Sequence, residues 1–154
     1  RAGSETLPSG TIALFDPIGG PIAVALAEEL GERAVLITQD QIAGNELSRT
    51  GDLAPANVRL AQAGAHIERR AILRVAGAGA VQVEDRFSGV RRTIPCAALV
   101  DCGFRLPSPE LPDASLRAGD CVAPRTLHEA ILEGRRAALA IDHAPATRVP
   151  AARC

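Results

Sequence analysis

At 154 residues and 47% apolar content, the chain is long enough for one domain or two small ones and can fill a core. Aromatic residues make up only 2%, with no Trp or Tyr, so that core must be aliphatic, which suits helices on a buried sheet better than an aromatic-lined barrel. A formal charge of -1 argues against nucleic acid or an anionic membrane surface as partner, and no apolar run approaches the roughly 20 residues that span a bilayer.

The chain lacks Met, and all 17 of its basic residues are Arg. We therefore expect a segment of a longer polypeptide, with a high-GC coding sequence behind the arginines. No signal-peptide pattern opens it. Cys96, Cys102, Cys121 and Cys154 form no C-x-x-C pair, which argues against a zinc or iron–sulfur site within the chain. Buried thiols in a reducing cytoplasm are the expectation.

Residues 1–10, "RAGSETLPSG", read as a linker. Thr11–Phe15 is predicted as a first strand. Pro21 suits the first helical position, where its missing N–H costs nothing. Ile22, Ala25, Leu26 and Glu29 follow at helical spacing, and Gly31 supplies a left-handed stop. "AVLIT" (34–38) is a continuous apolar run, as for a strand covered on both faces. After a polar loop, Asp52 is predicted to cap a helix through Leu53, Val58 and Ala61 that ends at Gly64. "HIERR" then reads as a third strand. The order β-α-β-α-β is that of a Rossmann half-fold.

Beyond Arg70 the period shortens. "AILRV", "AVQVED" and "RRTIP" alternate apolar and polar residues between the turns "AGAG" and "RFSG", an antiparallel meander. "CAALVDCG" (96–103) reads again as a buried strand. The predicted fold is α/β, a Rossmann-like parallel sheet with an antiparallel β-meander, of the FAD/NAD(P)-binding-domain type. "RLPSPELPDA" marks a boundary. A last helix follows within "APRTLHEAILEGRRAALAID", with Leu127, Ala130, Ile131, Ala137, Ala138 and Ile141 on one stripe. The tail, 143–154, lacks periodicity and is expected to be disordered.

"LFDPIGGPIAVALAEEL" has the strand-turn-helix outline of a dinucleotide site, but the three positions of G-x-G-x-x-G hold Asp16, Ile18 and Pro21. Those glycines ordinarily permit the tight turn, the approach of backbone to pyrophosphate, and close helix–strand packing. Ile18 puts a branched side chain, and Asp16 a negative charge, where phosphate would sit. What survives is Gly19, Gly20 and a helix N-terminus with partial positive charge. Asp40, ending "ITQD", is the one acid placed near a ribose. Two readings stay open here: a scaffold that has lost nicotinamide binding, or a modified NAD(P)H site using Asp16, Gly19 and Gly20.

Gly119-Asp120 stands shortly before the last helix, whose first turn is predicted as Pro124-Arg125-Thr126. A short carboxylate there can accept hydrogen bonds from sugar hydroxyls, while free helix N–H groups face a phosphate or a flavin carbonyl. An ordinary cap is the simpler reading of Asp120, and a surface position the simpler reading of Arg125.

"GDCVAPRT" followed by "EAILEGRRAA" resembles the C-terminal flavin or ADP segment of the NADH:flavin oxidoreductases related to trimethylamine dehydrogenase and 2,4-dienoyl-CoA reductase. "LVDCGFRLP" is similar to that family's strand ending in Gly-x-Arg-x-Pro, "VEDRFSGVRRTIP" to the hairpin before it, and "LFDPIGGPIAVALAEEL" to its inner nucleotide domain. The resemblance covers roughly residues 10–142. It implies that 11–103 correspond to the inserted NAD(P)-binding-like domain and 104–142 to the closing segment of the FAD/ADP-binding domain. It implies that Gly119, Asp120, Arg125 and Thr126 contribute to FAD or ADP binding, with NAD(P)H a further candidate ligand. It also implies an N-terminal barrel of the same polypeptide that holds FMN, a 4Fe–4S centre, and an electron-transfer flavoprotein as partner; none of the barrel's catalytic residues lies in this chain. The functions implied are an amine dehydrogenase or demethylase portion, an NAD(P)H-binding portion of an enoyl-CoA-reductase-like enzyme, or a nonenzymatic docking domain.

His66, His128 and His143 stand at no metal or catalytic spacing. Cys121 reads as a buried small residue or as a thiol at a helix start. Arg91-Arg92 and Arg135-Arg136 read as solvated faces or as contacts to the barrel. Asn45 and Ser48-Arg49-Thr50 have no assignable role.

Overall fold

Alternation along the two most apolar strands sorts their side chains onto opposite faces of one sheet. In the computed structural model, which describes residues 7–103, 105–107, 116–124 and 126–141, β1 (Ile12–Asp16) pairs in parallel with β2 (Ala34–Thr38) on one side and with β7 (Ala98–Asp101) on the other. A short β3 (His66–Glu68) completes a four-stranded parallel sheet in the order β3-β2-β1-β7. The predicted linker is described only from residue 7, and Arg125 and the tail 143–154 lie outside the described residues.

Ile12, Leu14 and Leu36 face α1 (Pro21–Leu30) and α2 (Leu53–Gln62), where they pack against Ala23, Val24, Ala27, Leu30, Ala56 and Leu60. Ala13, Val35 and Ile37 face the other way. They are covered by an antiparallel meander of β4 (Ala71–Gly77), β5 (Ala80–Asp85) and β6 (Arg91–Pro95), through Ala71, Val81 and Val83. The sheet is therefore dry on both faces, which is why β2 is buried along its whole length. The predicted β-α-β-α-β order and the meander are both present.

Several details differ from expectation. On α1 the buried stripe is Ala23, Val24, Ala27 and Leu30, whereas Ile22 is 49% exposed. On α2 it is Ala56 and Leu60, with Val58 55% exposed. Alanine on the sheet-facing side lets a helix lie close, so the largest apolar residues are not always the ones buried. Asp52 precedes α2, but its carboxylate does not cap the helix; it pairs with Arg59, 3.1 Å away. β7 is only half-buried because it lies at the sheet edge.

Arg70 joins the two sheets of this first unit with φ 55, a left-handed backbone that a non-glycine residue rarely adopts. Its N–H donates to the Asp40 carbonyl at 3.0 Å, its carbonyl accepts from Arg86 N–H at 2.7 Å, and its guanidinium lies over Phe87. Contacts on both sides of the peptide thus hold the conformation.

The chain divides into two compact units, Arg1–Phe104 and Arg105–Cys154. In the second, a 3-10 turn (Gly119–Cys121) precedes α3 (Leu127–Ile141), which starts after Thr126 rather than at Pro124. The predicted stripe lies on this helix, yet Leu127, Ile131 and Ile141 are 77%, 64% and 63% exposed. Among the described residues no helix is long and apolar enough to cross a membrane.

Candidate functional site

Parallel strands deliver their C-terminal ends to one edge of a sheet, and ligands of open α/β folds bind there. At that edge β1 ends in Asp16, and its buried carboxylate turns back into the loop that follows. Asp16 Oδ1 accepts the N–H groups of Ile18 (3.3 Å), Gly19 (2.9 Å) and Gly20 (3.3 Å). Three amides converge on one oxygen at the start of α1, where a dinucleotide would place a phosphate oxygen. Among the described residues, Asp16 Oδ2 is buried and has no hydrogen-bond partner. Burial pushes this carboxyl above the usual carboxylate range; the three amides oppose the shift and the nearby Asp40 carboxylate adds to it.

The turn is also covered from outside. Gly19 has φ 70, and a Cβ built on it would meet the Asn45 backbone nitrogen at 2.9 Å and an Asp40 carboxylate oxygen at 3.3 Å. The Gly19 carbonyl accepts the Glu46 N–H at 2.9 Å. Residues Asn45–Thr50, a 3-10 turn entered through Gly44 at φ 70, therefore close over the crevice. Asn45 and Glu46 carried no signal in the sequence, because their role depends on a contact made some 26 residues from Gly19. Beside Asp16, the Cys102 N–H donates to Phe15 O at 2.8 Å. Its thiol is pushed up to about 11 by burial first, then by the Asp16 and Asp101 carboxylates.

The second unit gathers Gly119, Asp120 and Thr126 near the start of α3. Gly119 (φ 71) opens the 3-10 turn, its N–H donates to Glu133 Oε2 at 2.8 Å, and the Cys121 thiol donates to Ala118 O at 3.1 Å. Asp120 is exposed, and among the described residues its carboxylate makes no hydrogen bond or ion pair. Thr126 directly precedes the helix. Its N–H donates to Glu129 Oε2 at 3.3 Å and its hydroxyl bonds to the same oxygen, a Thr-x-x-Glu pairing that caps α3. A carboxylate of the chain itself thus stands at the helix start, where an incoming phosphate would meet repulsion. Asp120 remains open to a hydrogen-bond donor.

His66 lies 3.5 Å from Glu68, and His128 is exposed on α3. Arg91 pairs with Glu84 at 2.8 Å, as does Arg74, and Arg92 pairs with Glu68. Cys96, Cys102 and Cys121 are free thiols, and among the described residues no three His, Cys, Asp or Glu side chains are placed to hold a metal ion.

No family model matches the sequence, and no curated protein does. Solved structures do match. Histamine dehydrogenase from Rhizobium sp. 4-9 superposes with a TM-score of 0.78 at 21% identity, over 93% of this chain and 25% of that one. 6-Hydroxypseudooxynicotine amine oxidase from Pseudomonas geniculata N1 gives 0.77 at 19% identity, over 86% and 22%. A 2-naphthoyl-CoA reductase gives 0.69 at 17% identity, over 84% and 21%. The chain spans about a quarter of the length of these proteins. It shares its α/β fold, parallel sheet with antiparallel meander, with one part of each.

Proposed function

We propose that this chain is the C-terminal dinucleotide-fold portion of a flavin-dependent oxidoreductase of the amine dehydrogenase or demethylase kind. Gly119 and Asp120 contribute one wall of a pocket for FAD or ADP, and residues 11–103 keep the dinucleotide fold. The observation that carries this reading is the Asp120 carboxylate, exposed and without a partner among the described residues, on a turn just ahead of α3. Such a group accepts hydrogen bonds from ribose or ribityl hydroxyls. Because Glu129 already caps the helix, the sugar rather than the phosphate is the contact assigned to this wall. Arg125, the cation that would answer a phosphate, lies outside the described residues. FAD or ADP would bring its own electron-carrying or structural chemistry; this chain only holds it.

Residues 16–24 fit NAD(P)H poorly, since the amides that would take its pyrophosphate are filled by Asp16. Substrate oxidation, the FMN site and the 4Fe–4S centre belong, on this reading, to an N-terminal barrel of the same polypeptide. An electron-transfer flavoprotein is the partner that accepts the electrons. The free thiols Cys96, Cys102 and Cys121 fit a cytoplasmic setting.

The test is thermal denaturation of the chain with ADP, FAD or NADPH. Stabilisation by ADP or FAD, lost in Asp120→Ala, is expected; at 100 times Kd the gain is about 2.7 kcal/mol. Stabilisation by NADPH alone supports instead an enoyl-CoA-reductase-like portion. No response to any of the three supports a docking domain.

A further inference from the structure

The near-neutral charge of the whole chain conceals a segregation. Residues 66–95, which hold β3 and the meander, carry six arginines against three acids. Residues 21–65, which hold α1, α2 and the turns beside them, carry three arginines against six acids. The helices and the meander cover opposite faces of the parallel sheet, so the first unit has an acidic layer and a basic one.

The basic layer ends in a knob. In the β5–β6 turn Phe87 is 67% exposed, although it is one of only three aromatic residues in the chain. Asp85 Oδ1 accepts the Phe87 N–H (3.0 Å), the Ser88 N–H (2.8 Å) and the Ser88 hydroxyl (3.0 Å), and the Arg70 guanidinium lies 5.6 Å from the ring centroid. Arg69 and Arg86 are exposed and make no ion pair among the described residues. A turn held this firmly loses little freedom on association, and aromatic and arginine side chains are the usual anchors of an interface.

The acidic layer holds a matching hole. A cleft of about 160 Å³ between α1 and α2 takes its apolar lining from Val24, Ala25 and Leu47 and its charged lining from Glu28, Asp52 and Arg59. Arg59 lies 3.0 Å from Glu28 and 3.1 Å from Asp52, so two carboxylates surround one guanidinium. An apolar cavity of about 150 Å³ accommodates a benzene ring, and the cleft therefore has room for a phenyl side chain. Because the two layers cover opposite faces of the sheet, Phe87 cannot reach the cleft of its own chain.

We infer that the occupant is a second copy of this chain: Phe87 of one copy enters the cleft between α1 and α2 of the next, with Arg69, Arg70 and Arg86 set against the acidic layer. Charge selects this pairing, since meander against meander and helices against helices are like-charged. Knob and hole are different surfaces, so the contact is heterologous, and each copy at the end of a row keeps one half free for a further neighbour. The inference goes beyond nucleotide binding and does not depend on it, because both surfaces lie within residues 21–95.

The experiment is sedimentation velocity of the full chain over a concentration series at about 0.01 M and about 1 M salt, where charges are felt over roughly 30 Å and 3 Å. Assemblies that grow with concentration are expected at low salt, with an association constant lower by about tenfold or more at high salt. Phe87→Ala and Ala25→Arg, both at exposed positions, are each expected to weaken association at low salt by about tenfold or more. Mixed together, the two variants are expected to form a one-to-one pair that grows no further, since one supplies an intact Phe87 and the other an intact cleft. Ala25→Gln replaces Ala25→Arg if circular dichroism shows that the latter does not fold. A native chain that stays monomeric at low salt overturns the second copy as occupant and leaves the cleft to another molecule. A folded Phe87→Ala chain that associates as the native one does, or a mixture of folded variants that stays monomeric, overturns it equally.

Discussion

A carboxylate that accepts three amide protons ordinarily ionises more easily than one in water, and at Asp16 burial reverses that preference. The consequence for stability has a definite sign. With its folded pKa raised above the unfolded value near 3.8, Asp16 contributes stability fully below that value, and the contribution is lost as pH rises through the folded pKa. Asp16→Asn keeps the Oδ1 acceptor and removes the ionisation. Urea unfolding between about pH 3.5 and 7.5 should therefore show the variant gaining on the native chain as pH rises. A constant difference across that window contradicts the assignment. The altered glycine pattern was legible at this scale in the residue letters. That Asp16 takes the turn amides was not, since a carboxylate's direction depends on the backbone torsions of the turn.

At the scale of elements, the order of strands and helices followed from periodicity and from Gly and Pro punctuation, and most boundaries lie within a residue or two of expectation. The helical faces were less legible. "PIAVALA" is apolar at nearly every position, so several stripes fit it equally, and contact with Ile12, Leu14 and Leu36 selects the one carrying Ala23 and Ala27. On α2 the same uncertainty yields a direct test. Leu60 is fully buried, so Leu60→Ala should cost about 2–5 kcal/mol by chemical denaturation. Val58→Ala should stay within about 0.5 kcal/mol, because Val58 is exposed. The reverse ranking would restore the stripe predicted through Val58. Pro124 illustrates a related limit: it reads as a helix opener, but the Thr126–Glu129 cap sets the start of α3 at Leu127.

For the whole molecule, the decisive fact is where burial ends. Every buried residue of the described chain lies at or before Cys96, and both apolar clusters are assembled within residues 7–102. α3 has no buried residue. A chain ending at Gly103 should therefore melt cooperatively, with a Tm within about 3 °C of the full chain by circular dichroism. A collapse of the transition would place part of the folding energy in the second unit. The apolar stripe of α3 is exposed, and the chain spans about a quarter of the length of the solved dehydrogenase and oxidase.

The sequence by itself determined the aliphatic core, the alternation that makes one sheet dry on both faces, and the succession of a parallel half-fold and a meander. Those properties depend on side-chain polarity at short spacing, which any stretch of the chain carries with it. Only the tertiary structure decided which alanines face the sheet, that Asn45 and Glu46 close over Gly19, and that Asp16 rather than a ligand holds the turn amides. Each of these depends on distances between residues far apart in sequence or on the direction of a single side chain, and periodicity encodes neither.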